Sequence, residues 1–183
     1  MQVSQGKIVI AQPFLNDGNF KRSVILITEH NEHGTMGFVM NKRMNLRFKD
    51  VLPGFNDVHH PLFKGGPIAD NQLFFIHRFE NEIANGMPIG KSGWYWGGDF
   101  TDVAKLLKEH KAGFKDIRFF IGYSGWEAGQ LENELEEKAW FVSTADYTSL
   151  LNERFEDIWG DELKRMGSNY AALANFPEDP SLN

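Results

Sequence analysis

The sequence contains no cysteine. That removes disulfides, thiolate nucleophiles and cysteine-ligated metals from consideration, and it is compatible with a reducing compartment. Positive charge is also scarce: 19 Lys and Arg stand against 25 Asp and Glu, for a net charge of -6. This balance opposes a broad phosphate-binding face. No apolar run approaches the ~18 residues needed to cross a bilayer, and the opening MQVSQGKIVIAQPF lacks the basic start and long apolar stretch of a secretory signal. The expectation is therefore a cytoplasmic protein with no membrane segment. Internal repeats, an HExxH helix, a G-x-x-x-x-G-K-[ST] loop and a full G-x-G-x-x-G fingerprint are all missing. No cofactor and no metal is predicted.

What the chain does have is 42% apolar and 14% aromatic residues over 183 positions. That suffices for one well-buried core, and a single domain spanning 1–183 is expected. Short, continuous apolar runs at Ile8–Ala11 and Ser23–Thr28 read as buried strands. The second run, the turn Asn31-Glu-His-Gly34 and the return Met36–Met40 together predict a hairpin. Lys42, Arg43, Arg47 and Lys49, interleaved with Met44, Leu46 and Phe48, predict a short basic helix ending near Pro53. Leu62-Phe63 and Leu73–His77 suggest strands around the Gly65-Gly66 turn, and Met87–Gly98 another short strand with loops.

Asp99 or Thr101 caps a helix through His110. Ile117–Ile121 reads as a strand that delivers a turn, Gly122-Tyr-Ser-Gly-Trp126, to the mouth of a helix beginning near Ala128. Glu132, Glu134, Glu136 and Glu137 are read as the wet side of that helix. Trp140–Thr144 is a further strand, Asp146 caps a short helix, and Ile158, Trp159, Leu163 and Met166 mark a longer one stopped by Gly167. From about residue 171, a tail with Pro177 and Pro180 is expected to be loosely held. Strands dominate early and helices late, without regular alternation, which indicates α+β.

Five blocks carry a resemblance: Phe20-Lys-Arg-Ser-Val24; Glu29-His30 followed by Gly34-Thr-Met-Gly-Phe-Val-Met-Asn41; Gly65-Gly-Pro-Ile68; Phe75-Ile-His77; and Gly122-Tyr-Ser-Gly-Trp126 with Gly129-Gln-Leu-Glu132. In this order they resemble the AlgH/YqgE family, small bacterial proteins often labelled transcriptional regulators on genetic grounds. The resemblance implies a mixed, partly bifurcated sheet with a small barrel-like core surrounded by helices, and no settled activity. The sequence departs from the family's frequent pattern at Lys42-Arg43, where Arg-Pro is common, and at Ser124, where Ala is common.

Three functional readings follow. The first is an indirect regulator binding a small molecule or protein in a groove near the Gly122–Trp126 turn. Its candidate residues are Arg22, Ser23, Glu29, His30, Asn41, Gly65, Gly66, Tyr123, Ser124, Gly125, Trp126 and Gln130. Arg22 would offer a fork for an anion, Tyr123 and Trp126 apolar walls, and Gln130 a donor and acceptor. The second is a small hydrolase using Ser124, or a His30/Glu29 acid-base pair. Here the pattern is incomplete, because Trp126 stands where a G-x-S-x-G elbow needs glycine. The third is direct DNA binding through Lys42 to Lys49, which the acidic balance and the lack of any DNA-binding motif oppose. The histidines at 30, 33, 59, 60 and 77 have no metal-ligand spacing. Nothing in the sequence encodes an oligomeric state.

Overall fold

The computed structural model describes residues 2–176. Strand β1 (Lys7–Ala11) lies between β10 (Trp140–Thr144) and β2 (Val24–Asn31), both antiparallel to it. The continuous apolar run of β2 is explained by burial on both faces. Val24 and Leu26 enter one core cluster, while Ile25 and Ile27 enter another on the opposite side. Each such side chain contributes about 1.5–3 kcal/mol, well above the spread of local propensities, so the run is held as a strand. A tight turn then returns as β3 (Gly34–Val39), completing the predicted hairpin.

After β3 the structure departs from expectation. The basic segment is not a helix but strand β4 (Arg43–Arg47), followed by a single helical turn, α1 (Phe48–Val51). Met44, Leu46 and Phe48 recur every second residue, a strand period, and only Pro53 had suggested a helix end. Strand β5 (Pro61–Lys64) pairs with β4, and β6 (Ile68–His77) is longer than its apolar core, Leu73–His77. The Met87–Gly98 stretch yields two short strands, β7 (Met87–Pro88) and β8 (Tyr95–Trp96). Asp99 caps α2 (Phe100–Lys108), accepting the Thr101 N–H at 2.8 Å.

Strand β9 (Ile117–Glu127) is the axis of the molecule. Its first part runs parallel to β5 and antiparallel to β6, and its last four residues pair instead with β3. The sheet therefore branches at β9 and is mixed, as the bifurcated architecture requires. It curls, but its path runs openly from β10 to β7, so no barrel closes. Beyond β9 come α3 (Gln130–Glu136), α4 (Tyr147–Leu150) capped by Asp146, and α5 (Ile158–Arg165), which places Trp159 and Leu163 in the core. The chain continues through α6 (Ser168–Ala171) and a 3-10 turn at Leu173–Asn175. The tail expected to be loose straddles the boundary of what is described. Leu173 and Ala174 pack on the core and the Phe176 ring meets Phe14 edge-on, and the remainder lies outside the described residues.

Candidate functional site

The Gly122–Trp126 segment, expected as a turn, is strand. Ser124 pairs with Gly37, Gly125 with Met36 and Trp126 with Thr35. Gly122 serves close backbone approach at the branch of the sheet. Gly122 sits at φ +70°, and a Cβ there would lie 2.6 Å from the Gly66 carbonyl oxygen. A Cβ on Gly65 would lie 2.2 Å from the Gly122 oxygen. Gly65 is stitched into the junction: its N–H donates to Ile121 O, and its carbonyl accepts from the Val39 N–H and the Ser124 hydroxyl, each at 2.9 Å.

Ser124 is therefore fully buried and committed, with no histidine among its hydrogen-bond partners. It is not placed as a nucleophile. His30 and Glu29 do not form an acid-base pair either. His30 Nδ1 contacts Thr35 Oγ1 at 2.8 Å and its Nε2 lies 3.5 Å from Glu132, whereas Glu29, one residue along the strand, lines a groove on the other face.

That groove gathers Glu29, Tyr123, Gly125, Trp126 and Gln130 from the expected set, together with Met36 and Ile68. The rest of the set is elsewhere. Ser23 is buried, with its hydroxyl on the Phe20 carbonyl. Asn41 is a brace, accepting from the Val24 N–H at 2.9 Å and donating to Arg22 O at 2.8 Å. Arg22 stacks over Trp159 at 4.7 Å and bonds the Phe176 carbonyl. Among its lining residues the groove has carboxylates but no arginine or lysine.

A second concavity is built quite differently. Its volume is about 440 Å³, and its walls come from β4, β5, β9, the His59-His60 loop, Phe114 and the Leu151–Phe155 segment after α4. Three arginines, Arg43, Arg47 and Arg118, line it, against one acidic residue, Glu153. The ion-paired arginines among the described residues are Arg78, Arg154 and Arg165; these three are not among them. Asp50 is near Arg47, but its carboxylate takes the Arg47 backbone N–H at 2.7 Å.

Arg118 lies 6% exposed on β9, over the face of Phe63 at 4.3 Å. Its Nη1 donates to Met40 O at 2.9 Å and to Leu150 O at 2.7 Å, and its Nη2 to Asn152 O at 3.3 Å. It thus caps the carbonyl end of α4. Burial lowers its pKa to about 9, still above neutrality, so a cation is held in the interior by carbonyl dipoles and the Phe63 ring. His60 is 8% exposed, its ring edge-on to Phe114, and its Nε2 is buried without a partner among the described residues. Desolvation by burial pulls its pKa below the ordinary value, against the opposing carbonyls of Gly113 and Ala112 and the charge of Asp116.

Comparison with known proteins places the chain in a family. The AlgH-like family profile matches residues 8–171. The chain belongs to the AlgH-like family. A UPF0301 protein of Bacteroides thetaiotaomicron is 41% identical over 181 residues, covering 98% of this chain and 91% of the relative. One from Cytophaga hutchinsonii is 39% identical, covering 99% of this chain and all of the relative. The solution structure of the Pseudomonas aeruginosa AlgH protein superposes with a TM-score of 0.73 at 26% identity, covering 97% of this chain and 98% of that one. A Corynebacterium diphtheriae crystal structure has the same fold, with a TM-score of 0.75 at 24% identity, covering 96% and 94%.

In this AlgH-like protein, the blocks that announce the family mostly build the branch of the sheet: Gly37 on β3, Gly65 and Gly66 between β5 and β6, and Gly122 and Ser124 on β9. The arginine cavity lies off those blocks, and reading the sequence missed it except for the basic residues of β4. Arg118 carried a signal of its own, a lone cation inside the apolar run IRFFI, where an unpaired charge is costly unless the fold supplies partners. Among the described residues no group of three or more His, Asp or Glu is arranged to hold a metal ion. No helix there is long and apolar enough to cross a membrane.

Proposed function

We propose that this protein is a cytoplasmic binding protein, not an enzyme, which takes up a small anionic ligand in the arginine cavity and exerts any regulatory effect through that occupancy, without contacting DNA. The observation that carries this reading is the convergence of Arg43, Arg47 and Arg118 on one concavity with, among the described residues, no carboxylate paired to any of them. Guanidiniums gathered around a concavity without a carboxylate partner suit an external anion, and Arg forks fit carboxylate or phosphate. The same geometry favours a small anion over a duplex. Arg43 and Arg47 turn toward a cavity wall, Arg43 stacking on Phe155 at 5.3 Å, and do not form a ridge for a duplex. The groove along Tyr123 is the weaker candidate because it offers an anion no cation.

The test is thermal denaturation at fixed ionic strength with inorganic phosphate, citrate and benzoate. At least one should raise the melting temperature saturably, toward ~2.7 kcal/mol of stabilisation at a concentration of 100 times the dissociation constant. Arg43 and Arg47 are both exposed, so the variant with both changed to Ala should fold and lose that shift. Absence of any saturable shift, or one unchanged in the double variant, would overturn the proposal.

A further inference from the structure

The identity of the anion can be narrowed, on the assumption that the cavity just described is an anion site. We infer that the ligand is a phosphate monoester: a tetrahedral dianion at the arginine end, carried on a small flat organic body that rests against Phe114. Charge gives the first argument. Three arginines and one glutamate line the cavity, so with neutral histidines the lining sums to +3 − 1 = +2. A dianion neutralises this; a monoanion leaves one guanidinium uncompensated in a site where one arginine is almost fully buried.

The second argument is where the charge is concentrated. Arg43 pairs with Phe63 and Arg47 with Pro61, so four steps along β4 oppose two along β5. This irregularity bunches the strand and lets two guanidiniums that would stand far apart on a regular strand share one cavity. A bunched cationic end suits two charges on one phosphorus, whereas a dicarboxylate spreads its charges along a chain. Phosphate also presents three oxygens, enough for several donors at once.

The third argument concerns what remains beyond the charged end. Phe63 and Phe155 already lie beneath Arg118 and Arg43. Phe114 is 43% exposed, with the His60 ring against its edge, and offers an apolar face to a flat group. Beside it, the His60 ring, edge-on to Phe114, fixes that wall of the cavity. A cavity of about 440 Å³ holds a phosphate plus one ring system, and is larger than a bare phosphate needs.

Titration calorimetry with phenyl phosphate, benzenesulfonate, succinate and inorganic phosphate, at pH 7.5 and constant ionic strength, tests this. Phenyl phosphate should bind at least about ten-fold tighter than benzenesulfonate, which has a similar shape but a single charge, and tighter than succinate; that preference should collapse when Arg43 and Arg47 are both Ala. Phe114→Ala should weaken phenyl phosphate about five-fold and leave inorganic phosphate unchanged. Equal binding of benzenesulfonate and phenyl phosphate, or tighter binding of succinate, would overturn the phosphate assignment while leaving the anion site standing. Inorganic phosphate binding as tightly as phenyl phosphate would overturn the organic body. If none of the four binds, the cavity is not an anion site and both readings fall.

Discussion

Removing the Ser124 hydroxyl leaves the Gly65 carbonyl with its other donor, the Val39 N–H at 2.9 Å. No buried acceptor is stranded, so Ser124→Ala should cost only about 1 kcal/mol and should leave anion binding as it was. Gly65→Ala is a different case. The new Cβ would meet the Gly122 oxygen at 2.2 Å and the side chains of Phe120 and Phe38 at 3.0 Å, and the nearest of these is backbone that the sheet holds fixed. A loss of more than about 3 kcal/mol, or failure to fold, is expected. Urea denaturation of the two variants checks the contrast; a Gly65→Ala protein as stable as Ser124→Ala would remove the close-packed junction as the reason for these glycines.

Elements were legible where one physical cause dominated. The two-sided burial of β2, the Asp99 and Asp146 caps and the Gly167 stop are local or compositional, and the structure places them as read. β4 was misread because its alternation of Arg43, Met44, Asn45, Leu46 and Arg47 is short and rich in good helix formers. The far half of β9 was misread because glycines at 122 and 125 mimic a turn, whereas Gly122 is required by the backbone of Gly66 and Ile68 and Gly125 lies against the Ile68 side chain. Long-range pairing of that kind leaves no local pattern. α3 has the same character. Its seven residues are too few to be helical alone, and its acidic face, read as merely wet, contains an anchor. Glu134 Oε2 accepts from Trp126 Nε1 at 3.0 Å and Trp140 Nε1 at 2.7 Å, while Oε1 accepts from Gln130 at 2.9 Å. Glu134→Ala strands two indole N–H groups and should cost about 2–4 kcal/mol, with Glu134→Gln costing less because one acceptor oxygen remains. Equilibrium unfolding followed by tryptophan fluorescence measures both, and equal stability of Glu134→Ala and wild type would mean that α3 is held by Leu131 packing alone.

Across the whole molecule the charge balance is acidic, yet three of its unpaired cations face one cavity and its buried titratable groups pull stability in opposite directions with pH. Burial lowers the pKa of both His60 and His77, the latter already satisfied by Gly97 O at 3.0 Å and the Phe79 N–H at 3.2 Å. For these two the unfolded chain binds protons more readily, beginning near pH 6.5. Their contribution is therefore complete above about pH 6.5 and declines as pH falls toward the folded values. Glu162 behaves in the reverse sense. It is fully buried on α5, with Arg165 Nη1 3.4 Å from its Oε1, and desolvation raises its pKa despite Arg165 and the Ser149 hydroxyl. Its contribution is complete below about pH 4.5 and declines as pH rises through the folded value. Wild type should accordingly lose stability between pH 7.5 and 5.5 through the histidines, with Glu162 moderating the loss. Glu162→Gln keeps the shape and removes the titration. That variant should be at least as stable as wild type at pH 7.5 and should fall more steeply toward pH 5.5. Urea midpoints at the two pH values decide it: a parallel or shallower fall in the variant would show that Glu162 is ionised and well solvated in the folded protein, and that α5 is not where the molecule stores this strain.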